Sequence, residues 1–474
     1  MKNYSSYSEI FSDLKSGAVT CESLIRHYLS NIRKNESLNV FLEVFEEEAL
    51  EKAKLVQNKI NDGTAGKLAG LVVGIKDVLA YQDHELTASS RILKGFKSQF
   101  TATAVQKLLD EDAIIIGRQN CDEFAMGSSN ENSAFGNVIN GTGKNKVPGG
   151  SSGGSAVAVQ MDMCQVSLGT DTGGSVRQPA AFCGVVGFKP TYSRISRYGL
   201  AAYASSFDTI GILAKSIEDT ALTLEIMSGA DEYDSTVSSQ AVPSYSDGIE
   251  NQKTYKVAYI DETLSGEGLS PHIRNAVETL LDQLKAGGHQ VEKTHFTMLD
   301  YLLPTYYILT TAEASSNLSR YDGVKFGHRS ANATNLEEMY KNTRSEGFGE
   351  EVKRRIMLGT FVLSASYYDA FYTKAQKARR LIKEQTEKIL SEYDFVVLPT
   401  TPTAAFEIGS VNDSLEMFLA DLYTVQASVS GIPAISIPFG KDEEGMPIGV
   451  QIMSSHFSEE KLLAFSHQIL SRKN

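Results

Sequence analysis

Cysteine is scarce: the 474 residues hold four, Cys21, Cys121, Cys164 and Cys183, with no CxxC spacing among them. Neither a disulfide framework nor a zinc knuckle is suggested, and the four read as reduced and packed. Positive charge is short too, with a formal net charge of −13. An acidic field repels phosphate backbones, so contact with nucleic acid has to be local or made by a partner chain. No segment reaches the roughly 18 apolar residues of a membrane span. The opening MKNYSSYSEIFSDLKSG alternates polar and apolar residues instead of carrying the apolar core of a secretory signal. A cytoplasmic protein without a membrane partner is expected. Heptads, internal repeats and Pro-rich linkers are missing. So are the nucleotide cradles GxxxxGK[ST] and GxGxxG: the stretch from Gly136 to Gly141 and Thr142 lacks the required lysine.

What remains is an ordinary globular composition, 42% hydrophobic and 22% charged, in which strand and helix signals interleave. Residues 5 to 60 read as helices, with Ile10, Phe11, Leu14 and then Leu24, Ile25, Tyr28, Leu29 at helical spacing. LAGLVVGIKDVLA reads as a buried strand interrupted by Lys76, and TATAVQKLLDEDAIIIG as helix then strand. KVAYID, HQVEKTHF, DFVVLPT, GIPAISIPFG and GMPIGVQIMSS read as further strands, and EEKLLAFSHQIL as a closing helix. The pattern predicts one large α/β domain over 1–474, with a central mixed sheet covered by helices on both faces. Within it, 1–65 forms a helical N-terminal segment and about 240–395 a peripheral helix-rich part containing a long helix from Tyr367 to Tyr393.

Glycine concentrates in one place. Residues 141–176 hold nine glycines and five serines, as two loops, PGGSSGG and TDTGGS, around a helix-like and strand-like stretch. A flexible tether would not be interrupted by AVAVQMDMCQVSLG. Loops of this kind aim backbone N–H groups at an anion, and serine hydroxyls beside them make an oxyanion hole for acyl transfer the better reading. Gly149-Gly150-Ser151-Ser152-Gly153 formally satisfies GxSxG, but that arrangement needs a downstream histidine. His272 and His467 lie in amphipathic helices, His289 and His295 border a strand, and only His456 falls in a plausible loop. The base is therefore sought in Lys76, whose apolar flanks LVVGI and VLA disfavour the ammonium form. A buried lysine paired with Asp77 or another acid is the competing reading. Two SxxK stretches, Ser12 to Lys15 and Ser458 to Lys461, sit in polar helical surroundings and are set aside.

GIKDV around Lys76, PGGSSGGSAVAV at 148–159 and LGTDTGGSVRQPAAFCGVVGFKPTY at 168–192 together resemble the amidase signature family. The resemblance implies a Ser-cisSer-Lys triad, with Ser175 as nucleophile, Ser151 as the bridging serine on a cis peptide bond and Lys76 as ultimate base. It also implies an oxyanion hole from the backbone N–H groups of Thr172, Gly173, Gly174 and Ser175.

NCDEFAMGSSNENSAFG (120–136), EGFGEEVKRRIMLGTFVLSASYYDAFYTKAQKARRLI (346–382) and LADLYTV (419–425) are similar to the amidotransferase branch of that family, whose members hydrolyse glutamine inside a tRNA-dependent complex. This implies Arg355 on the α-carboxylate of glutamine, Asp421 on its α-amino group, and Met126, Gly127 and Ser128 in the pocket wall. A fork of guanidinium donors suits a carboxylate and an acid suits an ammonium. Without the resemblance, Arg355 reads as a surface ion pair and Asp421 as a solvated acid. Further implications are a B subunit that binds Glu-tRNA(Gln) and uses ATP and Mg, a small C subunit completing a heterotrimer, and no metal or cofactor in this chain. A stand-alone amidase for a small amide and a non-enzymatic scaffold are the alternatives.

Overall fold

The computed structural model describes residues 1–143, 145–250, 252–266, 268–411 and 414–472. Its short apolar runs form strands β1 (Phe41–Val44), β2 (Val72–Lys76), β3 (Ile114–Gln119), β4 (Val166–Asp171), β5 (Val186–Lys189) and β6 (Thr209–Ala214). They continue as β7 (Lys256–Ile260), β8 (Gln290–Thr294), β9 (Phe395–Pro399), β10 (Ala434–Lys441) and β11 (Pro447–Ser454). All join one 11-stranded sheet in the order β1-β3-β2-β4-β6-β5-β10-β11-β9-β7-β8. The sheet is mixed: β2 runs parallel to β3 and β4, while β4 runs antiparallel to β6. Every residue of β2, β3, β4 and β6 is buried, as in strands covered on both faces; β6 is a strand that the sequence reading did not single out.

The helices are α1 (Tyr7–Ser16), α2 (Cys21–Lys34), α3 (Glu46–Asp62), α4 (Thr103–Asp110), α5 (Gly153–Gln160), α6 (Arg177–Cys183), α7 (Ile217–Met227) and α8 (Asp261–Ser265). They continue with α9 (Pro271–Ala286), α10 (Leu299–Asn317), α11 (Leu336–Gly347), α12 (Glu350–Leu363), α13 (Lys374–Glu392), α14 (Ser414–Leu419), α15 (Val425–Ser430) and α16 (Glu459–Ser471). Among the described residues no helix is long and apolar enough to cross a membrane. The four cysteines are free and buried.

Two elements differ from the sequence reading. Phe41–Val44, expected as helix, is an edge strand that pairs with β3; the half-buried FLEV run takes its hydrogen bonds from the sheet, a tertiary choice that helical spacing does not reveal. The helix expected from Tyr367 begins with a π-helical turn, Asp369–Thr373, before α13, after the Tyr367 and Tyr368 N–H groups have both turned back onto the Ser364 carbonyl at 2.9 Å. The 240–395 segment lends β7 and β8 to one edge of the sheet.

The parallel register matters for the site. Lys76 ends β2 and Asp171 ends β4, two neighbouring parallel strands. Loops leaving the carboxyl ends of such strands flank a crevice, the usual place for a ligand in an open α/β sheet.

Candidate active site

Lys76 is 0% exposed. Its Nζ donates to Ser151 Oγ at 2.7 Å, Ser152 Oγ at 2.9 Å and Thr170 Oγ1 at 3.0 Å. Asp77 does not pair with it: that carboxylate accepts from Arg118 Nη1 at 2.6 Å and from the N–H groups of Thr87 and Ser89 at 3.0 and 2.7 Å. Burial drives the Lys76 amine down to about 8, against the pull of Asp122, Asp171 and Asp208. An amine poised there is available as a base.

The first Gly loop needs its glycines. A Cβ on Gly149 (φ 80°) would lie 2.8 Å from Pro179 Cα, and one on Gly150 would lie 2.1 Å from Asp122 Oδ2. The Gly150–Ser151 peptide is cis. The Ser151 carbonyl accepts the Asp122 N–H at 3.2 Å. Ser152 Oγ bonds the Thr170 backbone in both directions, at 3.2 Å each.

The second loop is built on a buried ion pair. Asp171 accepts Arg177 Nε at 3.0 Å and Nη2 at 2.8 Å, with both side chains fully buried. It also accepts the N–H groups of Gly174 at 2.9 Å and Val176 at 3.2 Å. Burial alone would raise this carboxyl; the Arg177 guanidinium brings it below the usual carboxylate value. Arg177 then reaches the Thr424 carbonyl at 2.7 Å and Ser428 Oγ at 2.9 Å. Ser175 is 7% exposed, and its carbonyl accepts the Ser152 N–H at 3.1 Å. The two loops are thus tied by backbone, while Lys76 is reached by the side chains of Ser151 and Ser152 from the first loop and of Thr170 from β4. One expected oxyanion donor is spent: the Gly174 N–H already belongs to Asp171, which leaves Thr172, Gly173 and Ser175. Gly173 has no room for a side chain, since a Cβ would sit 2.5 Å from Tyr306 Cζ.

Three of the expected pocket residues, Ser128, Asp421 and Arg355, come together around Tyr307. Ser128 Oγ and Tyr307 Oη donate to Asp421 Oδ2 at 2.8 and 3.0 Å. Asp421 is no solvated acid: it is 6% exposed, and burial pushes its carboxyl up to about 7. Arg355 is 4% exposed. It donates to Tyr203 Oη and Glu351 Oε1, both at 2.7 Å, and its guanidinium lies 5.5 Å from the Tyr307 ring centre. It is therefore a buried cation over aromatic faces and not a surface pair. Met126 is buried, and Gly127 presses on Asp122, whose Cγ an added Cβ would meet at 2.4 Å. Asp122 in turn accepts the N–H groups of Asn130 and Asn132, both at 3.0 Å.

The histidines stay away from this chemistry; His456, the one in a plausible loop, lies 3.4 Å from Glu387. Among the described residues no group of three or more His, Cys, Asp and Glu side chains is placed to hold a metal. Sequence reasoning missed Ser152, Thr170, Asp122, Asp171, Arg177, Tyr203, Tyr306 and Tyr307. Asp171 and Arg177 had a signal, opposite charges six apart inside an apolar Gly-rich stretch. The tyrosines had none, because they reach the site from a loop and from α10.

Comparison with known proteins places this geometry in a family. An amidase family model matches residues 23–463. The A subunit of a glutamyl-tRNA(Gln) amidotransferase from Chlorobium phaeobacteroides strain BS1 is 49% identical over 470 residues, covering 98% of each chain. The crystal structure of the glutamyl-tRNA(Gln) amidotransferase A subunit from Thermotoga maritima is 38% identical and superimposes with a TM-score of 0.77, covering 94% of this chain and 90% of that one. The peptide amidase of Stenotrophomonas maltophilia, 26% identical, superimposes with a TM-score of 0.83 over 97% of this chain and 95% of its own. The chain belongs to the amidase family, among the A subunits of glutamyl-tRNA(Gln) amidotransferases.

Proposed function

We propose that this chain hydrolyses glutamine to glutamate and ammonia and hands the ammonia to partner subunits that amidate Glu-tRNA(Gln). The observation that carries the reading is the Lys76 amine, buried without an acid partner and hydrogen-bonded to Ser151 at 2.7 Å. Ser175 Oγ attacks the side-chain carboxamide carbon, and its proton passes through Ser151 Oγ to Lys76. The backbone N–H groups of Thr172, Gly173 and Ser175 hold the oxyanion, each well-aimed donor contributing roughly 3–4 kcal/mol. The proton returns through Ser151 to the nitrogen, ammonia leaves, and a γ-glutamyl ester remains on Ser175. Water then attacks the ester by the same relay, giving glutamate and free Ser175.

Arg355 holds the α-carboxylate and Asp421 the α-ammonium, with Ser128, Met126 and Gly127 in the wall. An aliphatic or aryl amide has no use for that pair of charges, so the pocket favours an amino acid over the substrate of a stand-alone amidase. ATP and Mg belong to the B subunit, which also takes most of the tRNA; the net charge of −13 and the absence of a nucleotide loop in this sequence agree with that division. The small C subunit braces the pair, and the heterotrimer works in the cytoplasm with the translation machinery.

Co-expression with the B and C subunits, followed by an assay for glutamine-dependent conversion of Glu-tRNA(Gln) to Gln-tRNA(Gln), tests the reading. Conversion that disappears with Ser175→Ala and returns with free ammonia is expected. A purified chain that ignores glutamine and cleaves diverse amides would overturn it.

A further inference from the structure

Glu123 lies next to the site but takes no part in the relay. It is 2% exposed, and its carboxylate accepts the Gly349 N–H at 2.8 Å and the hydroxyl of Ser90. Gly349 is the N-cap of α12 and has no side chain to cap with. The helix start is satisfied from outside, by a buried carboxyl that accepts its first N–H at the positive end of the helix dipole. The fit is close: a Cβ on Gly349 would lie 2.4 Å from Glu123 Oε2. Aromatic packing reinforces the joint, with the Phe124 ring 5.8 Å from that of Phe348 and 5.0 Å from that of Tyr321. The backbone here is held in the left-handed region at two non-glycine residues, Phe124 (φ 50°) and Ala125 (φ 58°), a conformation that persists only where the surroundings enforce it.

The neighbouring acid points the other way. Asp122 supports the Ser151 loop through its N–H and the Ser128 loop through its carboxylate. Residues 122 and 123 therefore bridge the loop that carries Ser151 and the helix that carries Arg355, which sits in the second turn of α12. We infer that Glu123 is a positioning residue for the substrate: by anchoring the start of α12 it fixes Arg355 where the α-carboxylate of glutamine must lie for its carboxamide to meet Ser175. This rests on the glutamine reading proposed above.

The test compares glutamine with 4-aminobutanamide, which keeps the amine and the carboxamide but lacks the α-carboxylate, in the wild-type chain and in Glu123→Ala, Glu123→Gln and Gly349→Ala. Glu123→Ala and Gly349→Ala are expected to raise KM for glutamine by about 10-fold with kcat changed less than about 3-fold, and to leave kcat/KM for 4-aminobutanamide within about 3-fold. Glu123→Gln keeps an acceptor oxygen for the Gly349 N–H and is expected to restore most of the glutamine KM. Equal losses on both substrates would make Glu123 a support of the fold only and overturn the inference, as would an unchanged KM in Gly349→Ala. Failure of the wild-type chain to hydrolyse glutamine would instead strike at the proposed function, and that control is read before any variant. Should Glu123→Ala not fold, Gly349→Ala and Glu123→Gln decide the matter alone.

Discussion

Ser128 Oγ donates to Asp421 Oδ2 across 2.8 Å, joining two residues 293 positions apart in the chain. That bond, together with the one from Tyr307, holds a carboxyl that burial pushes up to about 7 from an ordinary 3.8. Below that value the group is a neutral acid and cannot balance an ammonium. KM for glutamine is expected to rise as the pH falls through about 7, and Asp421→Asn is expected to have a high KM at every pH. Steady-state kinetics on either side of that value check this.

The same shift has a stability consequence. The folded value of Asp421 lies above the unfolded one, so the folded state holds the proton more tightly. The stability this supplies is complete below the unfolded value and is lost as pH rises through about 7. Asp421→Asn escapes that loss. Its Tm relative to wild type is expected to be higher at about pH 8 than at about pH 5, whatever its activity, and melting curves at the two pH values decide it.

Lys76 gives the clearest acid limb. With the amine brought down to about 8 by burial, kcat/KM is expected to climb with pH through that value as the base form fills. Lys76→Met replaces the amine by an apolar chain of similar length in an already buried place. It is expected to remain folded and to lose more than about 1000-fold in glutamine hydrolysis. A variant with the activity and pH profile of wild type would remove Lys76 from the mechanism.

Arg177 and Asp171 are both fully buried and bonded to each other at 2.8 Å. Arg177→Met leaves an uncompensated carboxylate under the Gly173–Gly174 turn and is expected to destabilise the chain by about 3–5 kcal/mol. Denaturant unfolding measures it. A variant unfolding at the wild-type midpoint would show that the pair does not hold the loop.

Much of this was legible in the chain itself. LAGLVVGIKDVLA announced a buried strand carrying a lysine because burial on both faces leaves an apolar run, although the reading put Lys76 mid-strand and β2 ends on it. The two Gly loops announced close backbone approaches because side chains there would collide with Asp122, Pro179 and Tyr306. The proposed amino-acid clamp was different. Arg355 sits in a charged EEVKRR run and Asp421 in an ordinary mixed stretch, and only the resemblance singled them out. Tyr307 and Tyr203 escaped notice because burial of a tyrosine hydroxyl against a distant acid or cation leaves no local periodicity. The edge strand Phe41–Val44 was missed for the same reason: its partner β3 lies far along the chain.

Gly127 offers a further test of the loop. An added methyl would meet Asp122 Cγ at 2.4 Å, in a carboxylate held by two backbone N–H groups. Gly127→Ala is expected to lower kcat/KM by about 100-fold, the size of effect that a displacement of about 1 Å produces at a preorganised site. Kinetics beside a melting curve separate a shifted loop from an unfolded one, and wild-type kinetics in a folded variant would show that the contact is readily relieved.

The surroundings of Lys76 set how the protein answers to its medium. Hydroxyls and not carboxylates receive its hydrogen bonds, and the neighbouring Asp77 is turned away toward Arg118. A proton affinity tuned by an exposed ion pair drifts with ionic strength, since mobile ions screen charges about 10 Å apart at about 0.1 M salt. One tuned by exclusion of water has little for those ions to screen. The midpoint of the alkaline-going rate curve is expected to hold steady from dilute buffer to molar potassium chloride.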